Sequence, residues 1–232
     1  MSNGVKTGSE QGPRTHCIRC GTCCMKGGPT LHGEDATLFA EGILGKQHVY
    51  TLRKGEVVRD IDDTLIVLEK EIVKIKGQGE AWTCLFYDVD QGECKIYDHR
   101  PIECRALKCW DLREFREVMA RPRLQRRDLI DPALDIFKII DAHEQRCAYE
   151  TLELAVKGLQ GPDPEKAVDM ILDLLQYDHY MRPLFTEKLS LPPETLDFLF
   201  GRALTTTIRM FGLCVTQEGD SFVLRPADSR SP

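Results

Sequence analysis

The sequence predicts an α+β protein, a small cysteine-rich domain of short strands and a hairpin followed by an α-helical C-terminal region. Three observations predict it. Eight cysteines fall into two blocks within the first half of the chain. Between the blocks apolar residues alternate, which is the period of strands. Beyond them apolar residues recur every three or four positions, which is the period of helices. The expected organisation is a flexible tail at 1–14, a cysteine-cluster domain at 15–112, a helical region at 113–212, and a terminal hairpin and tail at 213–232.

Residues 1–14 carry Gly, Ser, Lys and Pro without an apolar period, hence the tail. The first block, HCIRCGTCC, sets Cys17, Cys20, Cys23 and Cys24 at C-x2-C-x2-C-C spacing. Two thiols bracketing two residues lie where a tight turn aims both sulfurs at one ion or cluster. A third at the same interval suits a cluster corner. Adjacent side chains point apart in an extended or turning backbone, so Cys23 and Cys24 are expected to serve different ligation sites. His16, next to the first thiol, is expected beside the site or in solvent.

Gly27, Gly28 and Pro29 turn the chain. A short helix is expected from about Asp35, carrying Leu38, Phe39, Ile43 and Leu44. Alternation follows in Val49, Thr51 and Arg53, then Leu65, Val67 and Glu69, then Ile72, Lys74 and Lys76. These are strands, ended by Gly77 and Gly79. His32 and His48 have no partner at metal-ligand spacing and read as surface or hydrogen-bonded residues.

The second block holds Cys84, Cys94, Cys104 and Cys109. Cys84 and Cys94 each open the form C-x-apolar-Tyr-Asp, with the turn residues DVDQGE between them. This predicts a hairpin presenting the two thiols at corresponding places. Asp88, Asp90 and Glu93 read as solvated turn acids, because the loop lacks the ligand order of a calcium loop. Pro101 keeps Arg100 extended, and the run after it reads as a short helix or turn bearing Cys104 and Cys109. Thiolates gathered around a divalent ion carry net negative charge that nearby cations must offset. Arg100 and Arg105 are the candidates for that role beside a cofactor.

Six arginines and two glutamates stand between Arg113 and Arg127. An amphipathic linker helix with a solvated basic face is expected, the alternative being a contact surface for RNA. Ile136, Ile140, His143, Cys147 and Leu154 then form one helical stripe. His143 and Cys147 are four apart, a spacing that lets both grip an ion. On an apolar stripe, however, a buried cysteine beside a hydrogen-bonded histidine is the commoner meaning. A second helix is expected from about Glu165 to Pro183, with Val168, Ile171, Leu172 and Leu175 inward. A third starts near Pro193 and buries Leu196, Leu199, Phe200, Leu204 and Ile208. Cys214 reads as packing in a hairpin turning at Glu218-Gly219-Asp220, and ADSRSP as tail.

Two clusters of four thiols point to chelation. The competing reading is the disulfide framework of a small secreted domain. The polar N-terminal residues show no apolar leader, and the length allows a core without staples. A reducing cytoplasm is therefore the expected compartment. No run approaches 18 apolar residues, so no membrane span is expected. A net charge of −6 weighs against wholesale nucleic-acid binding.

The segments CIRCGTCC, CLFYD, CKIYDHRP and CRALKC, with Gly21 inside the first, resemble the CxxCxxCC or YkgJ-like cysteine-cluster family of zinc- or iron-chelating proteins. The resemblance covers about residues 15–112. It implies metal binding by Cys17, Cys20, Cys23, Cys24, Cys84, Cys94, Cys104 and Cys109. Flagellin lysine-N-methylases share the cysteine motif, so the resemblance also admits an enzyme.

Three thiols at intervals of three favour an iron–sulfur cluster, with [4Fe–4S] ahead of zinc. Trp110 follows Cys109 where ferredoxins place a proline. The expected protein is a cytoplasmic metalloprotein with one or two centres and a redox or assembly role. Its helical part would support the centre or dock a protein partner. The alternatives are a cluster-dependent, lysine-N-methylase-like methyltransferase and a structural zinc module binding RNA through the arginine-rich segment. Against the enzyme, no Gly-rich cofactor loop is evident and the C-x3-C-x2-C spacing of radical S-adenosylmethionine enzymes is absent.

Overall fold

Residues 15–60, 62–219 and 221–227 are described by a computed structural model; the expected N-terminal tail and nearly all of the C-terminal one lie outside them. The cysteine-bearing half begins with α1 (Ala36–Ala40), shorter than expected, so that Ile43 and Leu44 follow it in a turn. Next come β1 (Val49–Leu52), β2 (Val57–Arg59), β3 (Leu65–Val67) and β4 (Ile72–Ile75). β1 pairs antiparallel with β4, from Val49 opposite Ile75 to Leu52 opposite Ile72, and β2 pairs with β3. The alternating sequence therefore forms strands, but in separate two-stranded sheets. β1 is buried along its whole length. Thr51 hides its hydroxyl by donating to the Phe198 carbonyl at 2.6 Å.

β5 (Gly77–Gln78) pairs with β6 (Thr83–Cys84), and β7 (Tyr87–Asp88) with β8 (Glu93–Cys94). The expected hairpin is the second of these, turned by the Asp88 carboxylate, which accepts from the backbone N–H groups of Asp90 and Gln91. Its register departs from the expectation. Cys94 stands opposite Tyr87, whereas Cys84 lies on β6 opposite Gly77. The strands are only two residues long, so the ten-residue echo overruns the hairpin and hands Cys84 to its neighbour.

The remaining helices are α2 (Ile102–Ala106), α3 (Arg113–Met119), α4 (Arg126–Leu129), α5 (Ile136–Arg146), α6 (Tyr149–Gly158), α7 (Pro164–Leu189), α8 (Leu196–Phe200) and α9 (Leu204–Thr207). Four expectations are corrected here. The arginine-rich segment is not one linker helix: the helix with exposed Arg113 and Arg116 runs only as far as Met119. Between α3 and α4 Leu124 is buried, donating its N–H to Leu31 and accepting from Val73. Arg126 is 3% exposed and pairs with Glu71 and Glu144 while donating to the Leu199 carbonyl at 2.5 Å. Second, the stripe from Ile136 to Leu154 breaks between α5 and α6. Ala148 turns extended (φ −58°, ψ 137°), and the Cys147 carbonyl accepts from buried Arg53 at 3.1 Å. Leu154 consequently faces solvent, 69% exposed. Third, α7 continues through Pro183. A proline costs about 3 kcal/mol inside a helix. Here Met181 and Arg182 are buried before it and Phe185 stacks on Phe200 after it, so packing on both sides carries the helix on. Fourth, the last helix divides at Gly201 (φ +71°), where a Cβ would stand 2.7 Å from Arg53 Cγ.

β9 (Leu213–Glu218) and β10 (Ser221–Pro226) close the chain as the expected hairpin. One core takes Leu31, Val49, Val73, Ile75, Cys84 and Tyr87 from the first half and Ile140, Met181, Phe198 and Phe200 from the helices. A second, including Cys147, Leu152, Ile171, Leu204 and Phe222, joins helices to the terminal hairpin. No helix among the described residues is long and apolar enough to cross a membrane.

Candidate metal centre

The first block turns at Gly21. Its φ is +74°, and a Cβ there would lie 1.9 Å from the Tyr87 hydroxyl oxygen, so backbone conformation and close approach both call for glycine. The Gly21 carbonyl accepts from Met25 N–H at 2.9 Å, and a 3-10 turn follows at Cys24–Lys26. Cys23 is itself helical (φ −70°, ψ −36°). The expectation that Cys23 and Cys24 face different ways is therefore corrected. Their Sγ atoms lie 3.9 Å apart. The hydrogen bond between them pulls the Cys23 thiol down to about 6 and pushes Cys24 up. Arg19 adopts the left-handed conformation (φ +56°), and its N–H points at Cys17 Sγ, 3.4 Å away.

In the second block, remote carboxylates anchor the helix that carries Cys104. Asp35 Oδ1 accepts from Ile102 N–H at 2.8 Å, serving as a cap for α2 from 67 residues away. Asp35 Oδ2 accepts from His32 N–H, and burial lifts the Asp35 carboxyl above its ordinary range. Glu103 accepts from Thr30 N–H at 2.8 Å and lies 3.1 Å from His32 Nε2. His32 is thus a buried, hydrogen-bonded residue, and His48 likewise accepts from Gly45 N–H through Nδ1. His16 is exposed. Burial pushes the Cys84 and Cys104 thiols up.

All eight thiols reach one cavity of about 70 Å³, lined also by Arg19, Tyr87, Tyr97, Arg100 and Trp110. Cys84 is buried, Cys24, Cys94 and Cys104 are half-buried, and Cys17, Cys20, Cys23 and Cys109 are exposed. All are free thiols. Arg100 stands where a compensating cation is needed. Its guanidinium lies 3.8 Å from the Tyr97 ring centroid and its Nε donates to the Tyr97 carbonyl. Arg105 does not join it. Its side chain is exposed, away from the cavity, and its charge favours ionised Asp35. Arg19, which sequence reasoning passed over, takes the corresponding place, 3.8 Å from the same Tyr97 ring. The available signal was its position between Cys17 and Cys20.

Residues 16–123 match the CxxCxxCC family, described as a putative zinc- or iron-chelating domain. This segment is similar to the CxxCxxCC domain. Neither the curated proteins nor the solved structures searched contain a significant match to the chain. The matched segment includes all eight thiols of the cavity and runs past residue 112 through α3. Soft sulfur donors suit zinc and iron alike, and the two guanidiniums supply positive charge, so the residues present fit such a metal.

Outside that segment, among the described residues, His143, Cys147 and Asp178 are three ligand-type side chains whose donor atoms all lie within 4.8 Å of one another. Their surroundings are those of a buried strut. Asp178 Oδ1 is hydrogen-bonded to His143 Nε2 at 2.8 Å and to Arg182 Nε at 3.1 Å, and Oδ2 accepts from Leu204 N–H at 2.8 Å. The carboxylate is thus shared among α5, α7 and α9, and the positive charges of Arg53 and Arg182 beside it disfavour a cation.

Proposed function

We propose that the CxxCxxCC domain holds metal through Cys17, Cys20, Cys23, Cys24, Cys84, Cys94, Cys104 and Cys109. The metal in this reading is iron in an iron–sulfur cluster rather than zinc, and the role is electron transfer or metal-centre assembly in the cytoplasm. The observation that carries it is the convergence of thiols from separate segments on one cavity. The C-x2-C-x2-C interval of Cys17, Cys20 and Cys23 suits sulfurs bound to different irons of one cluster. A bound cluster would supply one-electron redox chemistry. Arg19 and Arg100 would offset its negative charge, and Tyr87 and Trp110 would limit water at its edges.

Eight thiols lining one cavity are a chelating surface, which supports chelation ahead of a methyltransferase. The RNA reading loses support too, because five of the six arginines from Arg113 to Arg127 pair with carboxylates. The test is anaerobic purification of the full chain, with a visible spectrum and elemental analysis. A brown protein absorbing near ~400 nm is expected. A colourless protein with stoichiometric zinc overturns the iron–sulfur assignment, and one taking up neither metal overturns chelation.

A further inference from the structure

Depth divides the eight thiols differently from sequence. Cys24, Cys84, Cys94 and Cys104 are buried or half-buried, and each sits on a regular element: the 3-10 turn at Cys24–Lys26, β6, β8 and α2. Cys17, Cys20, Cys23 and Cys109 are exposed; Cys17, Cys20 and Cys109 lie outside helices and strands, and Cys23 is the residue that leads into the 3-10 turn. The exposed set is the C-x2-C-x2-C run together with one remote cysteine, which is the ligand pattern of a single cluster. Removing that set leaves Cys24, the adjacent fourth thiol of the first block, with three thiols of the second.

We infer that the thiols form two centres divided by depth, each taking three ligands from one block and one from the other. The inner centre is held by Cys24, Cys84, Cys94 and Cys104 and is part of the fold. The outer centre is held by Cys17, Cys20, Cys23 and Cys109 and exchanges its metal with solution. This division rests on the chelation reading above. Ligands fixed on helix, strand and turn are pre-organised and slow to let go, whereas ligands on an exposed irregular segment can leave one at a time as a competitor enters. The Cys23–Cys24 contact at 3.9 Å places the centres side by side, so metal or electrons entering the outer one arrive next to the inner one.

The deciding experiment uses the full chain purified anaerobically, with iron plus zinc counted by elemental analysis and release to EDTA followed in time. The wild type is expected to lose metal in two phases. Cys17→Ser/Cys109→Ser is expected to keep about half the metal, to lack the fast phase and to melt at the wild-type temperature. Cys84→Ser/Cys104→Ser is expected to lower the melting temperature as well as the metal content. A Cys17→Ser/Cys109→Ser protein that holds no metal, or all of it, overturns the division. So does single-phase release from the wild type. A wild-type chain that takes up neither metal removes the chelation reading itself, and the division with it.

Discussion

Gly21 and Arg126 show how much single residues decide in this molecule. Gly21 combines a left-handed backbone with a hydroxyl that fills the space a side chain would need. Gly21→Ala is expected to destabilise the chain by at least about 1 kcal/mol, from the backbone strain alone. It should also lower metal content, because the turn that directs Cys17, Cys20 and Cys23 cannot form. Urea titration and elemental analysis measure the two effects. Undiminished metal in a stable Gly21→Ala protein would show that the turn is dispensable. Arg126 stands between Glu71 and Glu144 with almost no exposure of its own. Its removal leaves two half-shielded carboxylates and an unpaired carbonyl, and Arg126→Ala is expected to cost about 3 kcal/mol by chemical denaturation. The cysteines were legible residue by residue because thiol spacing is itself chemical information. Arg126 was not, since its partner Glu71 lies 55 positions away and nothing local distinguishes it from the exposed Arg113.

At the scale of elements, two struts of charged groups hold helices in place. Asp35 caps α2 and so positions Cys104 without touching it. Asp35→Ala is expected to leave the thiols intact yet speed metal release to a chelator several-fold; an unchanged release rate would assign the cap to stability alone. The second strut, His143–Asp178–Arg182, links α5, α7 and α9. Burial holds His143 below the ordinary imidazole range. For Asp178, burial pulls upward, but the His143 hydrogen bond and the Arg182 charge outweigh it and hold the carboxyl low. Both groups therefore bind fewer protons folded than unfolded. Stability is then complete above about pH 6.5, falls as pH drops through the imidazole range, and falls again below about pH 4. Urea midpoints at several pH values check this, and Asp178→Asn should flatten the acid limb while lowering stability at neutral pH. A flat profile in the wild type would contradict it. Strand alternation and helical periodicity made these elements visible, but their ends were not. The break after Cys147 depends on Arg53, and the passage through Pro183 depends on Phe200. Neither partner is close in sequence.

For the molecule as a whole, the cysteine-bearing half and the helices share a core. Unfolding is expected to be one cooperative transition. The two tryptophans, Trp82 and Trp110, both report on the cysteine-bearing half, while far-ultraviolet circular dichroism follows the helices. Coincident midpoints from the two signals are expected, and two separated midpoints would show that the halves unfold independently.

By itself the sequence determined the α+β class, a strand-bearing first half followed by helices, and the eight thiols, because periodicity and ligand spacing are local properties of a chain. Tertiary structure alone decided the rest: that the thiols meet at one cavity, that Cys23 and Cys24 lie together, that Arg19 and not Arg105 joins Arg100, and that the basic segment is spent on ion pairs. Apart from the contact between neighbouring Cys23 and Cys24 and the Arg113–Asp111 pair, each depends on contacts between residues far apart in the chain, and such contacts exist only once the core has closed.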